Sequence, residues 1–216
     1  MSTESLGLVI EEVTLNSAKA RRRTTETLVE ARVDLERKEL EISTGLAFLD
    51  HMIQELSWLS CMGIGIVVKP LRGRKLTHTI AEDSGITLGN ALRSLYVKRA
   101  NEFGLNGSGF SISVLDEAMS MAVISIEGRR NAYIRISCEG GRRESVEDMH
   151  SADLIAFIEG LSQGMGATIH LDLLHGLDPH HCWETAFRAL GEAIRKAFEK
   201  NAWRKGAIVG IKGTLN

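Results

Sequence analysis

The sequence predicts an α+β protein made of two tandem copies of one unit. Two observations carry this expectation. First, the order of hydrophobic periods repeats. Strand-like alternation, an amphipathic helix, a short apolar strand, a turn and a long helix run through residues 24–100, and again through 110–200. Second, each long helix is preceded by the same polar pair, His78-x-x-x-Glu82 in one copy and His180-x-x-x-Glu184 in the other. A spacing of two marks strands, and a spacing of three and four marks helices. A long period copied once is a duplicated supersecondary unit, not a solenoid. The expected boundaries are 18–103 for the first repeat, 104–201 for the second and 202–216 for a C-terminal tail.

Taken in order, residues 6–17 alternate loosely and predict an N-terminal strand. Lys19 to Arg23 hold four basic residues, which suggest a solvated connector or an anion contact. Thr24 to Val33 alternates as a strand, Leu35 to Lys38 is a charged hairpin turn, and Glu39 to Ser43 returns as a second strand. Leu46 to Leu56 is apolar at 48, 49, 52, 53 and 56, a helical spacing. Gly63 to Lys69 is a short buried strand, and Gly73 to Thr77 a basic loop. A helix begins near Glu82 and runs through Leu95 despite Gly85 and Gly89. Each interior glycine costs a helix about 1 kcal/mol against alanine, so the pair points to close helix packing. The Gly- and Asn-rich stretch from Asn101 to Gly109 is the best internal boundary. Strands follow at 110–115, 118–127 and 131–137, then a loop at Gly140 to Arg143, a helix over 149–161, a strand over 167–173 and a turn at Gly176 to Pro179. The last helix starts with His180-His181-Cys182-Trp183-Glu184 and continues through Phe198.

Composition excludes several classes. A net charge of −2 gives no general attraction to nucleic acid or anionic membrane, and the tryptophans form no base-stacking pattern. No apolar run approaches a membrane span. The start, Met1-Ser2-Thr3-Glu4-Ser5, is polar and lacks the basic end and apolar stretch expected of a signal peptide. Three cysteines, an odd number at wide spacing with no Cys-x-x-Cys, suggest buried thiols in a reducing, cytoplasmic setting. No phosphate-binding glycine loop opens a helix after a strand.

The chemistry lies in the histidines. On a helix, His180 and Glu184 share one face, while His181 lies about 100° round the axis. Imidazole and carboxylate together suit a first-row divalent metal. His51, His78, His180, His181, Glu82 and Glu184 stand at equivalent places of the two copies, so a folded duplication would gather them near its pseudo-twofold axis. They are the candidate metal ligands. His170, in an apolar strand, reads as structural, and Cys182 as a packed thiol. Asp116-Glu117, after a strand, is either a polar strand end or a pair of site acids.

The chain resembles the imidazoleglycerol-phosphate dehydratase family. The resemblance rests on Arg23-Thr24-Thr25-Glu26-Thr27, on Thr44 to Met52 with its Leu49-Asp50-His51, on Glu82-Asp83-Ser84-Gly85-Ile86-Thr87-Leu88-Gly89, and on Leu115-Asp116-Glu117-Ala118. Gly128-Arg129, Thr168-Ile169-His170, His180 to Glu184 with Phe187-Arg188-Ala189-Leu190, and Lys212-Gly213 complete it. The resemblance implies halves like the second domain of ribosomal protein S5, with sheets packed on a central layer of helices. It also implies a manganese enzyme with two ions per site, assembled from trimers into shells of up to 24 subunits. Such an enzyme removes water from imidazole glycerol phosphate, a step in histidine biosynthesis, to give imidazole acetol phosphate. The metals engage the substrate's ring. By the same resemblance Glu26 is a proton-transfer group, with Glu184 beside it in catalysis. Arg129, Arg188, Lys212 and Asp116 contact the substrate, Arg188 standing where the family usually has lysine.

The chain departs from the family at defined places. The family's His-His-x-x-Glu survives in the second half but reads His78-Thr79-Ile80-Ala81-Glu82 in the first. Ala156 and Gln54 stand where the family often has histidine, Gly107 and its neighbours replace an Arg-Phe-Gly, and Gly210 replaces a serine. Ligands for one ion or for two remain, with His150 or Cys182 as substitutes. Three functions stay open on the sequence: the dehydratase, a non-catalytic or scaffold homologue, and another metal-assisted reaction on a small phosphorylated substrate.

Overall fold

The computed structural model describes residues 5–71, 73, 75–207, 210, 211 and 213. The first half runs β1 (Gly7–Val13), β2 (Ser17–Arg23), β3 (Thr27–Asp34), β4 (Ile42–Ser43), α1 (Ala47–Ser60), β5 (Gly63–Pro70) and α2 (Thr77–Phe103). The second runs β6 (Ser108–Leu115), β7 (Ala118–Ser125), β8 (Asn131–Ile136), β9 (Ser145–Val146), β10 (Met149–His150), α3 (Ser151–Met165), β11 (Thr168–His175) and α4 (Pro179–Ala197).

The duplication is explicit in the sheets. One has the order β1-β2-β3-β5-β4 and the other β6-β7-β11-β8. Without β1 they are the same: two antiparallel pairings, then one parallel pairing, β4 to β5 or β8 to β11. A parallel pairing needs a crossover, and α1 and α3 supply it. Each half lays its helices on its own sheet, and the helices meet between the sheets, α1 against α4 and α2 against α3. The core sits in this central layer, with Leu49, Met52, Leu88, Leu92, Phe157, Leu161, Phe187 and Leu190 fully buried. Among the described residues no helix is long and apolar enough to cross a membrane.

The α2–α3 seam explains the helical glycines. A Cβ on Gly85 would overlap the carbonyl oxygen of Phe157, and one on Gly164 would overlap that of Ile86. The backbones approach so closely that neither helix has room for a methyl group there.

Three expectations are corrected. Lys19 to Arg23 is the strand β2 rather than a connector. Ala18 and Ala20 face the core, Lys19 pairs with Glu11 and Glu30, and Arg22 pairs with the buried Asp83. The returning strand after the charged turn shrinks to Ile42–Ser43 and pairs parallel with β5 rather than antiparallel with β3. α2 begins at Thr77, five residues before Glu82, which places His78 and Glu82 in its first two turns.

Candidate metal centre

α4 is started by its own sequence. Asp178 caps it by accepting the His180 amide N–H at 2.8 Å, and Pro179 fills the first helical position, where the missing N–H costs nothing. His180 therefore projects from the open end, and Glu184 follows one turn in. α1 buries Phe48, Leu49, Met52, Ile53 and Leu56, which leaves His51 at the margin of that stripe, against α4.

The packing of α1 on α4 converges three side chains. Glu184 Oε2 lies 3.3 Å from His51 Nε2 and 3.2 Å from His180 Nε2. The two imidazole rings are 5.4 Å apart, and Phe48 meets His180 edge-on at 5.1 Å. One ligand atom from each of His51, His180 and Glu184 lies within 4.8 Å of the others. Glu184 is only 6% exposed, and its charge is held by groups around it. Arg188 donates to its second oxygen at 2.5 Å, and Glu55 accepts from Arg188 Nε at 2.9 Å. The far nitrogen of His180, Nδ1, lies 3.1 Å from Glu147 in the β9–β10 turn. A carboxylate behind an imidazole fixes its ring and raises its basicity as a ligand. Two imidazole nitrogens and a carboxylate oxygen, oriented from behind and facing one point, fit a first-row divalent cation.

His181 looks elsewhere. Its Nδ1 is 2.9 Å from Glu117 and its Nε2 3.9 Å from Asp116. Glu117 also accepts the amide N–H groups of Asp178 and Leu177. Those backbone donors, the Asp178 amide first and His181 next, hold the Glu117 carboxyl down at about 2. The His181 imidazole is raised, chiefly by Glu117. Cys182 is buried, its sulfur 3.4 Å from that of Cys138. Burial first, then Cys138, pushes its thiol up to about 12, so near neutral pH it is not the thiolate that a metal binds.

A family model described as imidazoleglycerol-phosphate dehydratase matches residues 44–194. A protein of that name from Aromatoleum aromaticum is 35% identical over 204 residues, which span 93% of this chain and 100% of its own. The chain belongs to the imidazoleglycerol-phosphate dehydratase family. A relative from Methylococcus capsulatus is 33% identical, with 92% of this chain and 98% of its own covered. The crystal structure of IGPD from Pyrococcus furiosus in complex with (S)-C348 matches with a TM-score of 0.73 at 29% identity, over 89% of this chain and 98% of its own.

The other residues singled out in the sequence, by the internal repeat or by likeness to the dehydratase family, fall outside the cluster. His78 and Glu82 are exposed on α2, and the nearest acid to His78 is Asp153, at 3.8 Å. Glu26 lies in the β2–β3 turn, where its carbonyl accepts the Leu71 N–H at 2.7 Å. Its neighbour Thr27 donates to Asp83. Arg129 is exposed after β7, and Asp116 is exposed in the β6–β7 turn. Lys212 lies outside the described residues. Glu147 was not among the expected site residues, and Glu117 was expected only as half of an acidic pair that is either a strand end or a pair of site acids. Glu117 had a signal in its acidic pair. Glu147 had none, because a two-residue strand leaves no period to detect.

Proposed function

We propose that the protein is an imidazoleglycerol-phosphate dehydratase, a hydro-lyase that removes water from imidazole glycerol phosphate to give imidazole acetol phosphate in histidine biosynthesis. The observation that carries this reading is the convergence of His51 and His180 on the buried Glu184 in a chain of this family. We assign the resident ion as manganese, held by these three side chains. When bound, the ion withdraws electron density from the substrate's imidazole and makes the neighbouring C–H more acidic.

The chain's own residues do the rest. Glu26 takes the proton from carbon or returns one to the departing hydroxyl; a carboxylate suits either task once positioned within hydrogen-bond reach. Arg129 and Lys212 are assigned to the phosphate, where guanidinium and ammonium complement its charge. Arg188, already engaged by Glu55 and Glu184, orients Glu184. His181, oriented by Glu117, presents Nε2 toward Asp116 and outward, where a substrate or a neighbouring subunit can use it.

We further propose self-association of this chain and a cytoplasmic location. The latter is supported by the free thiols of Cys138 and Cys182 at close range. The former is supported by an inverted strand, β6, which turns Phe110, Ile112 and Val114 outward.

The test is rescue of a histidine auxotroph lacking the dehydratase, with the purified protein assayed beside it. Rescue is expected, as is a rate that falls about a hundredfold or more in Glu184→Gln, as for loss of a key electrostatic group. No rescue, or an unchanged rate in His180→Ala, would refute the assignment.

A further inference from the structure

Glu26 has both ends of its backbone pinned in the β2–β3 turn. Its amide donates to Thr24 Oγ1 at 3.1 Å, and its carbonyl accepts the Leu71 N–H at 2.7 Å. The Thr24 hydroxyl also accepts the Thr27 N–H at 2.9 Å. Behind this turn lies a buried carboxylate with no part in the chemistry above. Asp83, in α2, is 3% exposed. It pairs with Arg22 through one oxygen and accepts the Thr27 hydroxyl with the other.

That carboxylate sets the direction of the bonds between itself and Glu26. An ionised carboxylate only accepts, so the hydrogen of Thr27 Oγ1 is committed to Asp83. The hydrogen of the Thr24 hydroxyl then points at Thr27, whose Oγ1 lies at 3.2 Å and whose carbonyl lies at 3.4 Å. This leaves the lone pairs of Thr24 Oγ1 for the Glu26 and Thr27 amides. A neutral amide at position 83 could donate back to Thr27 and reverse the chain.

The fold itself does not need a charge there. Laying His78-x-x-x-Glu82 on His180-x-x-x-Glu184 puts Thr185 at the place of Asp83. Thr185 Oγ1 joins α4 to β7 through Ser120 Oγ at 2.9 Å, with both side chains fully buried. The second copy thus ties its long helix to its sheet with two neutral hydroxyls, which avoids the desolvation of a buried ion pair. The charged tie stands in the copy whose turn carries Glu26.

We propose that Asp83, acting through Thr27, is a positioning residue for Glu26. It locks the β2–β3 turn to α2, so that the proton-transfer carboxyl hangs from a fixed backbone. The inference rests on the dehydratase reading and on the role of Glu26 in it. A misplacement of about 1 Å in such a group can cost about a hundredfold in rate.

Thr27→Val keeps the shape of the buried side chain, removes the hydroxyl and leaves the Arg22–Asp83 pair in place. Thr27→Ser keeps the hydroxyl. With Mn²⁺-loaded full-length protein and imidazole glycerol phosphate, Thr27→Val should lower kcat by about tenfold or more at unchanged KM. It should also speed amide hydrogen exchange in residues 24–28, read by mass spectrometry. Thr27→Ser should recover most of both losses, and Asp83→Asn should behave as Thr27→Val does. An active wild type with kcat unchanged in Thr27→Val, or a loss that Thr27→Ser does not recover, would overturn the positioning role and leave the dehydratase reading standing. A wild type without turnover would overturn the dehydratase reading and this role with it.

Discussion

Glu184 serves two imidazoles with one oxygen and a guanidinium with the other, and this division depends on Arg188. Arg188→Met keeps the length of the side chain and removes its charge. It is expected to cost about 2 kcal/mol, the scale of a hydrogen bond to a charged group, measured by urea denaturation of the metal-free protein. A change near zero would show that Arg188 does not hold Glu184. His181 allows a test by pH. Its folded pKa is raised, so its share of stability is complete below the ordinary value near 6.5 and is lost as pH rises through the folded value. Glu117 is lowered from 4.5 to about 2, so its share is present above 4.5 and lost as pH falls toward 2. The pair is therefore fully formed between about pH 4.5 and 6.5. In metal-free protein, the His181 ring protons followed by NMR should titrate above an ordinary histidine, and Glu117→Gln should bring them down. Identical titrations would remove Glu117 as the cause. At this scale, the sharing of a face by His180 and Glu184 was legible because it needs only helical spacing. Their approach to His51, 133 residues away, needed the tertiary crossing of α1 and α4. Glu147 was not legible, because it sits in no pattern that separates it from ordinary surface charge.

The elements owe their placement to backbone contact as much as to apolar stripes. At the α2–α3 seam two effects of Gly85→Ala oppose each other. Helix propensity would gain about 1 kcal/mol, whereas the new methyl would overlap the Phe157 carbonyl. Overpacking typically costs about 1–3 kcal/mol and sometimes more, and here the obstacle is backbone that cannot rotate away. The clash should win. The variant is expected to lose stability in urea. A rise in the denaturation midpoint would show that the seam is looser than described. Glycines inside a helical period foretold this seam. β2 was hidden for the opposite reason. Its charged residues form one run in sequence, yet Lys19 and Arg21 point to one face while Ala18 and Ala20 point to the other. β4 escaped because a two-residue pairing is fixed by β5 and not by its own periodicity.

At the scale of the whole molecule, the duplication could be read because one polar pair marks both long helices, but the outward face of a strand could not. Period two is the same whichever set of side chains faces the core. β6 shows the consequence. Gly109 and Ser111 point inward, where Ser111 donates to Glu192 and a Cβ on Gly109 would overlap the Ala193 carbonyl. α4 lies so close that only small residues fit beneath it. Phe110, Ile112 and Val114 are thereby turned out, 65%, 57% and 62% exposed, with Val123 and Tyr133 exposed on the same sheet. A contiguous apolar face of this kind marks an interaction surface, and self-association satisfies it without another partner. Sedimentation of the purified chain should therefore give a species heavier than the monomer. The double variant Ile112→Lys, Val114→Glu should move it toward the monomer. The fold should survive, because both side chains point away from the core, and an unchanged circular dichroism spectrum would verify that. A wild-type chain that sediments as a monomer, or a variant of unchanged mass, would show that this face is left to water and that α4 alone dictates the inversion of β6.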